Sequence, residues 1–258
     1  MIPLKSADQL EIMVGNGHTL SRILDALREE VRPGRDTAYF DRLAEEMIRA
    51  EGAVPSFKGY HGYPATINAS INDEVVHGIP SKERTLREGD LFSIDIGLVR
   101  DGLHSDMATT VAVGEVDEQA SRLLEIGRSS LWRGIGQVKI GNRLSDISHA
   151  IGSFVEAEGF HVVKEFVGHG IGTALHEDPQ IPNYGPPGHG VRLAPGMAFA
   201  IEPMVKVDPL PTRILEDKWT VVTGSGGLSV HFEHTVVLTD GGVVVATLGG
   251  DKGRSGDE

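Results

Sequence analysis

Two segments of this chain, Phe92-Ser-Ile-Asp95-Ile-Gly and Phe199-Ala-Ile-Glu202-Pro-Met, read as buried strands, and each carries a carboxylate at the same place, 107 residues apart. The same offset recurs upstream: Val31 matches Val138, Gly34 matches Gly141, and Ala50-Glu51-Gly52 matches Ala157-Glu158-Gly159. Leu86, Gly89, Phe92 and Ile94 likewise match Leu193, Gly196, Phe199 and Ile201. Such a duplication constrains the chain to two similar halves related by a pseudo-two-fold axis.

Downstream the offset becomes 127, because Asp106-Met-Ala-Thr-Thr-Val resembles Glu233-His-Thr-Val-Val-Leu, and residues around 206–225 then read as an insertion. The repeat runs roughly over 20–113 and 127–240. Each copy ends with two strand-borne acids, Asp95 with Asp106 and Glu202 with Glu233, and the axis would bring all four together. Burying an ionised carboxylate among apolar side chains costs several kcal/mol unless a cation or donor compensates it, so something positive is expected there.

Ser6-Ala-Asp-Gln supplies an N-cap, and apolar spacing through Leu10, Met13, Leu20, Ile23, Leu24 and Leu27 predicts an amphipathic helix closing before Pro33-Gly34. A second helix is expected over 36–50, and the pair recurs over 117–136 and 144–158. Strands are expected at 66–71, 91–98, 105–113, 162–167, 197–206, 218–223, 229–238 and 243–248, with glycine and proline turns between them. The expectation is a single α/β (α+β) catalytic domain over 1–249: a curved, mainly antiparallel sheet, helices on its outer face, the site on its inner face. Residues 250–258, rich in Gly, Asp, Lys and Ser, are expected to form a frayed tail.

Acids outnumber bases by 37 to 24, a net charge of −13, which argues against stable binding to nucleic acid or an anionic membrane. A local basic cluster, Lys82, Arg84 and Arg87, leaves docking on an RNA-rich partner open, although a solvated face is the favoured reading. With no cysteine, disulfides and thiolate ligands drop out. Neither a leader pattern nor an apolar run of about 18 residues is present, so a soluble cytoplasmic protein is expected.

Carboxylates with one imidazole suit hard or borderline divalent ions, and two such ions can share bridging carboxylates. Four acids balance the charge of two divalent cations. The imidazole is expected from Gly168-His169-Gly170-Ile-Gly172, where glycines let the backbone come close. Asp95 shares its face of the strand with Ser93 and Gly97, small neighbours that leave room for an ion. His77 and His176 lie in turns, where a lone histidine is ordinarily a surface residue.

Taken in order, Gly59-Tyr-His-Gly-Tyr-Pro64, Val76-His-Gly-Ile-Pro80, Ile94-Asp-Ile-Gly97, Asp106, Gly168-His-Gly-Ile-Gly172, His176-Glu, Ile201-Glu-Pro-Met204 and Phe232-Glu-His234 resemble the type I methionine aminopeptidases, the short form without an N-terminal zinc-binding extension. The resemblance covers about residues 5–248. It implies the pita-bread fold, with Asp95, Asp106, His169, Glu202 and Glu233 as metal ligands, Asp106 and Glu233 bridging two ions of cobalt, manganese, iron or zinc. It implies hydrolysis after an N-terminal methionine when the next residue is small, with a metal-activated water attacking the scissile carbonyl. Catalytic roles fall on His77, His176 and Glu202, and substrate binding on Phe57, Tyr60, Tyr63, Asn68, His77, Leu175, His176 and Trp219. Asn68 stands where some relatives carry cysteine. A monovalent cation near Asn72, Glu74 and Ser229 is a further implication.

The expected partners are nascent polypeptide N-termini, with at most transient ribosome association, and the expected state is a monomer. Two rival readings share the motifs. A Xaa-Pro peptidase of the same superfamily usually carries a large domain ahead of the first site motif, where only about 60 residues stand here. A non-catalytic binding homologue would typically lack a ligand, whereas all five positions are filled.

Overall fold

The duplication is written into the helices and their flanking turns. A computed structural model describes residues 2–249, so the tail expected at 250–258 lies outside the described residues. Helix α1 (Ala7–Glu29) starts at a capping box in which Ser6 accepts from the Gln9 amide and Gln9 returns a bond to Ser6. Helices α2 (Thr37–Ala50) and α3 (Glu118–Ile135) start at Asp36 and Asp117, whose carboxylates accept from Tyr39 and Ala120 amides. Helix α4 (Leu144–Ala157) is the 107-residue image of α2 at both ends.

The connections repeat with the same offset. The Gly34 amide donates to Leu86 O at 2.9 Å and the Gly141 amide to Leu193 O at 3.0 Å. An isolated bridge joins Asp36 to Thr85, and its counterpart joins Arg143 to Arg192. Gly34 and Gly141 adopt left-handed φ of 88° and 91°, a conformation open to glycine at little cost.

The strands are β1 (Val54–Pro55), β2 (Ile67–Ile71), β3 (Glu74–Val76), β4 (Leu91–Arg100), β5 (Leu103–Ala112), β6 (His161–Val162), β7 (Gly168–Gly170), β8 (Glu177–Ile181), β9 (Ala198–Ile201), β10 (Met204–Lys206), β11 (Arg213–Ile214), β12 (Val221–Val222), β13 (Ser229–His231), β14 (Glu233–Thr239) and β15 (Gly242–Val245). Among the described residues, nine form one antiparallel sheet in the order β1-β4-β5-β14-β9-β7-β8, with β2 on β4 and β15 on β14. Strands β5 and β14 meet through Ala108 opposite Glu233 and Met107 opposite His234, which is the seam between the halves.

Alternation along the strands separates two faces. Phe92, Ile94, Ile96 and Leu98 of β4 pack with Leu20, Leu24, Leu27, Phe40 and Ile48 of α1 and α2. Phe199, Ile201, Val236 and Leu238 do the same with Leu123, Leu131, Ile147 and Ile151 of α3 and α4. Each half thus owns a core between its helices and its part of the sheet. Ser93, Asp95 and Gly97 have the opposite parity and point the other way.

Several expected strands are interrupted, for identifiable reasons. The run 197–206 breaks at Glu202-Pro203 because proline has no amide to give the ladder, and 229–238 breaks opposite it at Phe232. The pairing nevertheless carries through: Ile201 faces His234 and Met204 faces His231. Of 162–167 only the first residue is a strand, and the chain resumes pairing at Gly168. Of 218–223 only Val221 and Val222 pair, against β3 and β11. Edge strand β8, Glu-Asp-Pro-Gln-Ile, was not expected from its polar composition, which suits a sheet edge.

The ladder also corrects the alignment of the two halves. Phe92 pairs with Val111, whereas its counterpart Phe199 pairs with Val236, so across this strand the offset is 125 rather than 127. The counterpart of Asp106 is therefore His231, and that of Ala108 is Glu233. Helix α1 seats against the β15 end through Gly17, where a Cβ would collide with the Ala246 carbonyl. Gly17→Ala is expected to destabilise the fold by about 1–3 kcal/mol, read as a lower urea midpoint with an unchanged slope.

Candidate metal centre and substrate cavity

Two neighbouring cross-strand rows on the inner face bring the acids together. In the first, Asn68, Asp95, Ala108 and Glu233 stand opposite one another across β2, β4, β5 and β14. In the second, Gly97 faces Asp106, the Asp106 amide donates to Thr235 Oγ1 at 2.9 Å, and Thr235 faces Ala200, which faces His169. Small residues alternate with ligand-type residues along both rows. A Cβ on Gly97 would lie 3.3 Å from Asp106 Oδ1 and 3.0 Å from Phe57, so glycine there keeps the space open.

Strand β7 brings the histidine in by the same device. A Cβ at Gly168 would fall 2.6 Å from Ala200 O, and one at Gly170 would strike Asp178 O. Between them His169 Nδ1 meets Gly170 O at 2.9 Å, leaving Nε2 3.4 Å from Glu202 Oε1. Asp106, His169 and Glu233 each offer a ligand atom within 4.8 Å of the others, and so do Glu202, His231 and Glu233.

These groups line a cavity of about 240 Å³ together with Phe57, Tyr60, Tyr63, Val76, His77, Phe166, Leu175, His176, Met204 and Trp219. All thirteen residues expected at the site line it. Asn68 is turned to the acids rather than only to the substrate space: its amide donates to Asp95 Oδ2 at 2.7 Å. Sequence reasoning missed His231, Val76, Phe166, Val167 and Met204. For His231 the signal was available in strand parity, since it lies two residues from Glu233 and so on the same face.

Burial without compensation dominates the electrostatics. It pushes Asp95 up to about 6 and Glu202 up to about 8. Asp106 and Glu233 are driven well above the usual carboxylate range by burial and by their acidic neighbours. Burial lowers His169 to about 3 and His77 to about 4, so both imidazoles are neutral and able to ligate or accept. Among the described residues the cavity is lined by no lysine or arginine, and Asp95 Oδ1 and Glu233 Oε1 are buried without a hydrogen-bond partner. A cluster of oxygen and imidazole donors with unmet negative charge fits hard or borderline divalent cations.

Residues 13–240 match the model described as Metallopeptidase family M24. A methionine aminopeptidase of Clostridium acetobutylicum is 47% identical over 248 residues, covering 96% of this chain and 99% of the relative. This chain belongs to the methionine aminopeptidases of family M24. The crystal structure of methionine aminopeptidase from Thermotoga maritima superposes with a TM-score of 0.94 at 43% identity, covering 96% of this chain and 99% of that one. Prolidase from Pyrococcus furiosus, at 22% identity and a TM-score of 0.77, shares the fold; this chain covers 66% of it.

The remaining wall of the cavity in this M24 metallopeptidase is largely aromatic. Tyr63 and Trp219 meet edge to face at 5.1 Å, His77 lies 5.5 Å from Phe166, and Tyr63 OH is held by Ile67 O and Gly78 O. His176 stacks edge-on to His169 at 4.3 Å, and its Nδ1 meets Tyr60 OH at 2.8 Å. The loop carrying Leu175 and His176 is tied down by a buried ion pair, Lys5 Nζ to Glu177 Oε2 at 2.5 Å, while Glu177 Oε1 accepts from Thr173 and Ala174.

Two expected outcomes follow from this geometry. Lys5→Ala leaves Glu177 buried and unpaired, so the His176 loop loosens and kcat falls while metal affinity is retained; equilibrium dialysis beside steady-state kinetics separates the two. The raised carboxylates hold protons in the folded, metal-free protein that the unfolded chain has already released. Above about pH 7.5, where the buried histidines are largely neutral in the unfolded chain as well, stability of the metal-free protein should fall as pH rises through the value near 8 for Glu202. A divalent cation should remove that slope, as thermal melts with and without chelator would show.

Proposed function

We propose that this chain removes the N-terminal methionine from nascent polypeptides and peptides when the second residue is small, as a dinuclear metalloenzyme. The observation that carries the reading is a small aromatic cavity abutting a buried, uncompensated set of four carboxylates and an imidazole. Asp95, Asp106, His169, Glu202 and Glu233 would hold two divalent ions of manganese, iron, cobalt or zinc. Such ions supply Lewis acidity and bring a water's pKa towards about 7.

Around that centre the chain's own groups have distinct work. Glu202 combines a ligand position with a carboxyl that holds a proton readily, the property needed to take a proton from the nucleophile and return it to the leaving amine. In the tautomer in which Tyr60 OH donates to Nδ1, His176 would present an N–H from Nε2 to the substrate carbonyl, stabilising the charge that develops there. His77, held between Phe166 and Trp219, would act at the scissile nitrogen. Phe57, Tyr60, Tyr63, Leu175 and Trp219 form a wall suited to an unbranched thioether, which gains from sulfur–aromatic contact. Asn68 orients Asp95 at the edge of that pocket.

The finer attributes extend the same reading. Asn72 O and Glu74 O converge on Ser229 Oγ at 3.1 and 3.2 Å, a carbonyl arrangement that suits a monovalent cation. Among the described residues no helix is long and apolar enough to cross a membrane. Any ribosome contact would be transient and made by Lys82 and Arg87 rather than Arg84. The guanidinium of Arg84 is committed to Glu74 and to the carbonyls of Ala69 and Ile79.

Glu202→Ala is expected to lower turnover of Met-Ala-Ser by about a hundredfold or more with circular dichroism unchanged. Wild-type rates in that variant with metal supplied would overturn the assignment. Preference for Xaa-Pro peptides would instead favour the proline-specific relatives, and absence of any peptidase activity in the metal-loaded wild type a binding homologue.

A further inference from the structure

The second half contributes one more donor to the metal cavity than the five ligands account for. We propose that His231 is a sixth ligand, binding a divalent cation together with Glu202 and Glu233; this rests on the dinuclear reading and deepens it.

Three independent observations converge on the residue. By ladder register His231 is the second half's counterpart of Asp106, so the pseudo-two-fold axis gives it the place that a carboxylate ligand holds in the first half. The side chain is 2% exposed and its Nε2 is buried without a hydrogen-bond partner, 3.5 Å from Glu202 Oε2. Ligand atoms of Glu202, His231 and Glu233 all lie within 4.8 Å of one another, a spacing that one ion can bridge.

Four of the surrounding histidines differ in this respect. His169, His176, His104 and His234 each place Nδ1 on an oxygen, respectively of Gly170, Tyr60, Ser56 and Thr247. His231 is fixed through its backbone instead. Its amide donates to Thr110 Oγ1 at 2.8 Å and its carbonyl accepts from the same hydroxyl at 3.0 Å, while Ser93 Oγ meets Thr110 Oγ1 at 2.7 Å. Thr110 thus latches the residue across the seam with its imidazole facing the acids, a preorganised position costing little to occupy with metal.

With His231 included, the centre has two imidazoles on different strands, His169 on β7 and His231 on β13, grouped with Asp106 and Glu233 in one case and Glu202 and Glu233 in the other. Two nitrogen donors shift the preference of the pair towards zinc, cobalt or iron and away from the all-oxygen coordination that suits manganese. A hydrogen bond from His231 to Glu202 is the competing role, and at 3.5 Å it sits at the outer limit for one.

Zinc binding by equilibrium dialysis and X-ray absorption on the zinc-loaded, full-length chain test this, with His231→Gln and His231→Ala beside wild type. Wild type is expected to bind two ions with on average one imidazole per ion. Each variant is expected to lose about tenfold or more in affinity for one of the two ions and to halve the imidazole count, with unchanged circular dichroism. If His231→Ala fails to fold, His231→Gln, close in length and still polar, decides. An unchanged imidazole count overturns the proposal even where affinity drops, since that outcome assigns His231 to hydrogen bonding alone. A wild type that binds no divalent cation overturns the dinuclear function itself, whereas one that binds two ions and cleaves Met-Ala-Ser with a single imidazole in the centre overturns only the role of His231.

Discussion

Four carboxylates are gathered into one cavity that, among the described residues, is lined by no lysine or arginine, and much of the architecture serves to make that tolerable. Like charges a few ångströms apart in a low-dielectric setting repel strongly, and the folded chain answers by holding protons until a cation replaces them. Asp95, Asp106 and Glu233 sit on the middle strands of the sheet, where both neighbours are already paired, and Glu202 follows directly on the end of β9. Ala108, Gly97 and Ala200 occupy the intervening positions, so the space between acid side chains is left open by the sheet itself rather than by a mobile loop. Stability comes from the opposite parity of the same strands, through two apolar cores that do not involve the site.

Duplication explains how the geometry is reached. Each half places an acid at the same point of the same strand, Asp95 and Glu202, and the seam between β5 and β14 joins the halves where Asp106 and Glu233 lie. Symmetry is then broken where chemistry requires it. Pro203 interrupts the second strand beside Glu202, and Asn183 Nδ2 bonds the Glu202 carbonyl at 3.0 Å. That leaves Glu202 as the acid with the most open side chain, at 14% exposure, which suits the proton exchange proposed for it. The insertion after Lys206 adds β11 and β12 and carries Trp219 to the aromatic wall, a feature for which the first half has no counterpart.

The helices were legible because capping residues and apolar spacing agreed, as at Ser6, Asp36 and Asp117. The acids were legible because a carboxylate inside a β-branched run is a local contradiction that asks for compensation. What escaped was set by tertiary context. Strand β8 is polar and contains Pro179, and only its place at the sheet edge makes such a segment a strand. His231 escaped for a different reason: aligning the halves on the chemistry of their acids shifted the register by two residues. Such a slip preserves the face of the strand and therefore hides itself, while assigning the wrong counterpart to Asp106. Phe166 and Met204 read as ordinary core residues, and nothing in their spacing separates a wall of the cavity from a wall of the core.

Because the ligand-type residues come from both halves, occupancy and lobe association are linked. Asp95 and Asp106 belong to strands of the first half, His169 and Glu233 to strands of the second, with Glu202 just after β9, and the direct ladders between halves are two short stretches, Met107 and Ala108 with His234 and Glu233, and Glu74 and Val76 with Val222 and Val221. Cations bridging these groups would cross-link the lobes with interactions far stronger than any single hydrogen bond at the seam, while removing the repulsion that otherwise pushes them apart. The cavity's aromatic wall is built the same way, from Phe57 to Tyr63 on one side and Phe166, Leu175 and Trp219 on the other. The aromatic wall and the ligand-type cluster would therefore both respond to the closeness of the lobes, and a change at the seam should alter both together.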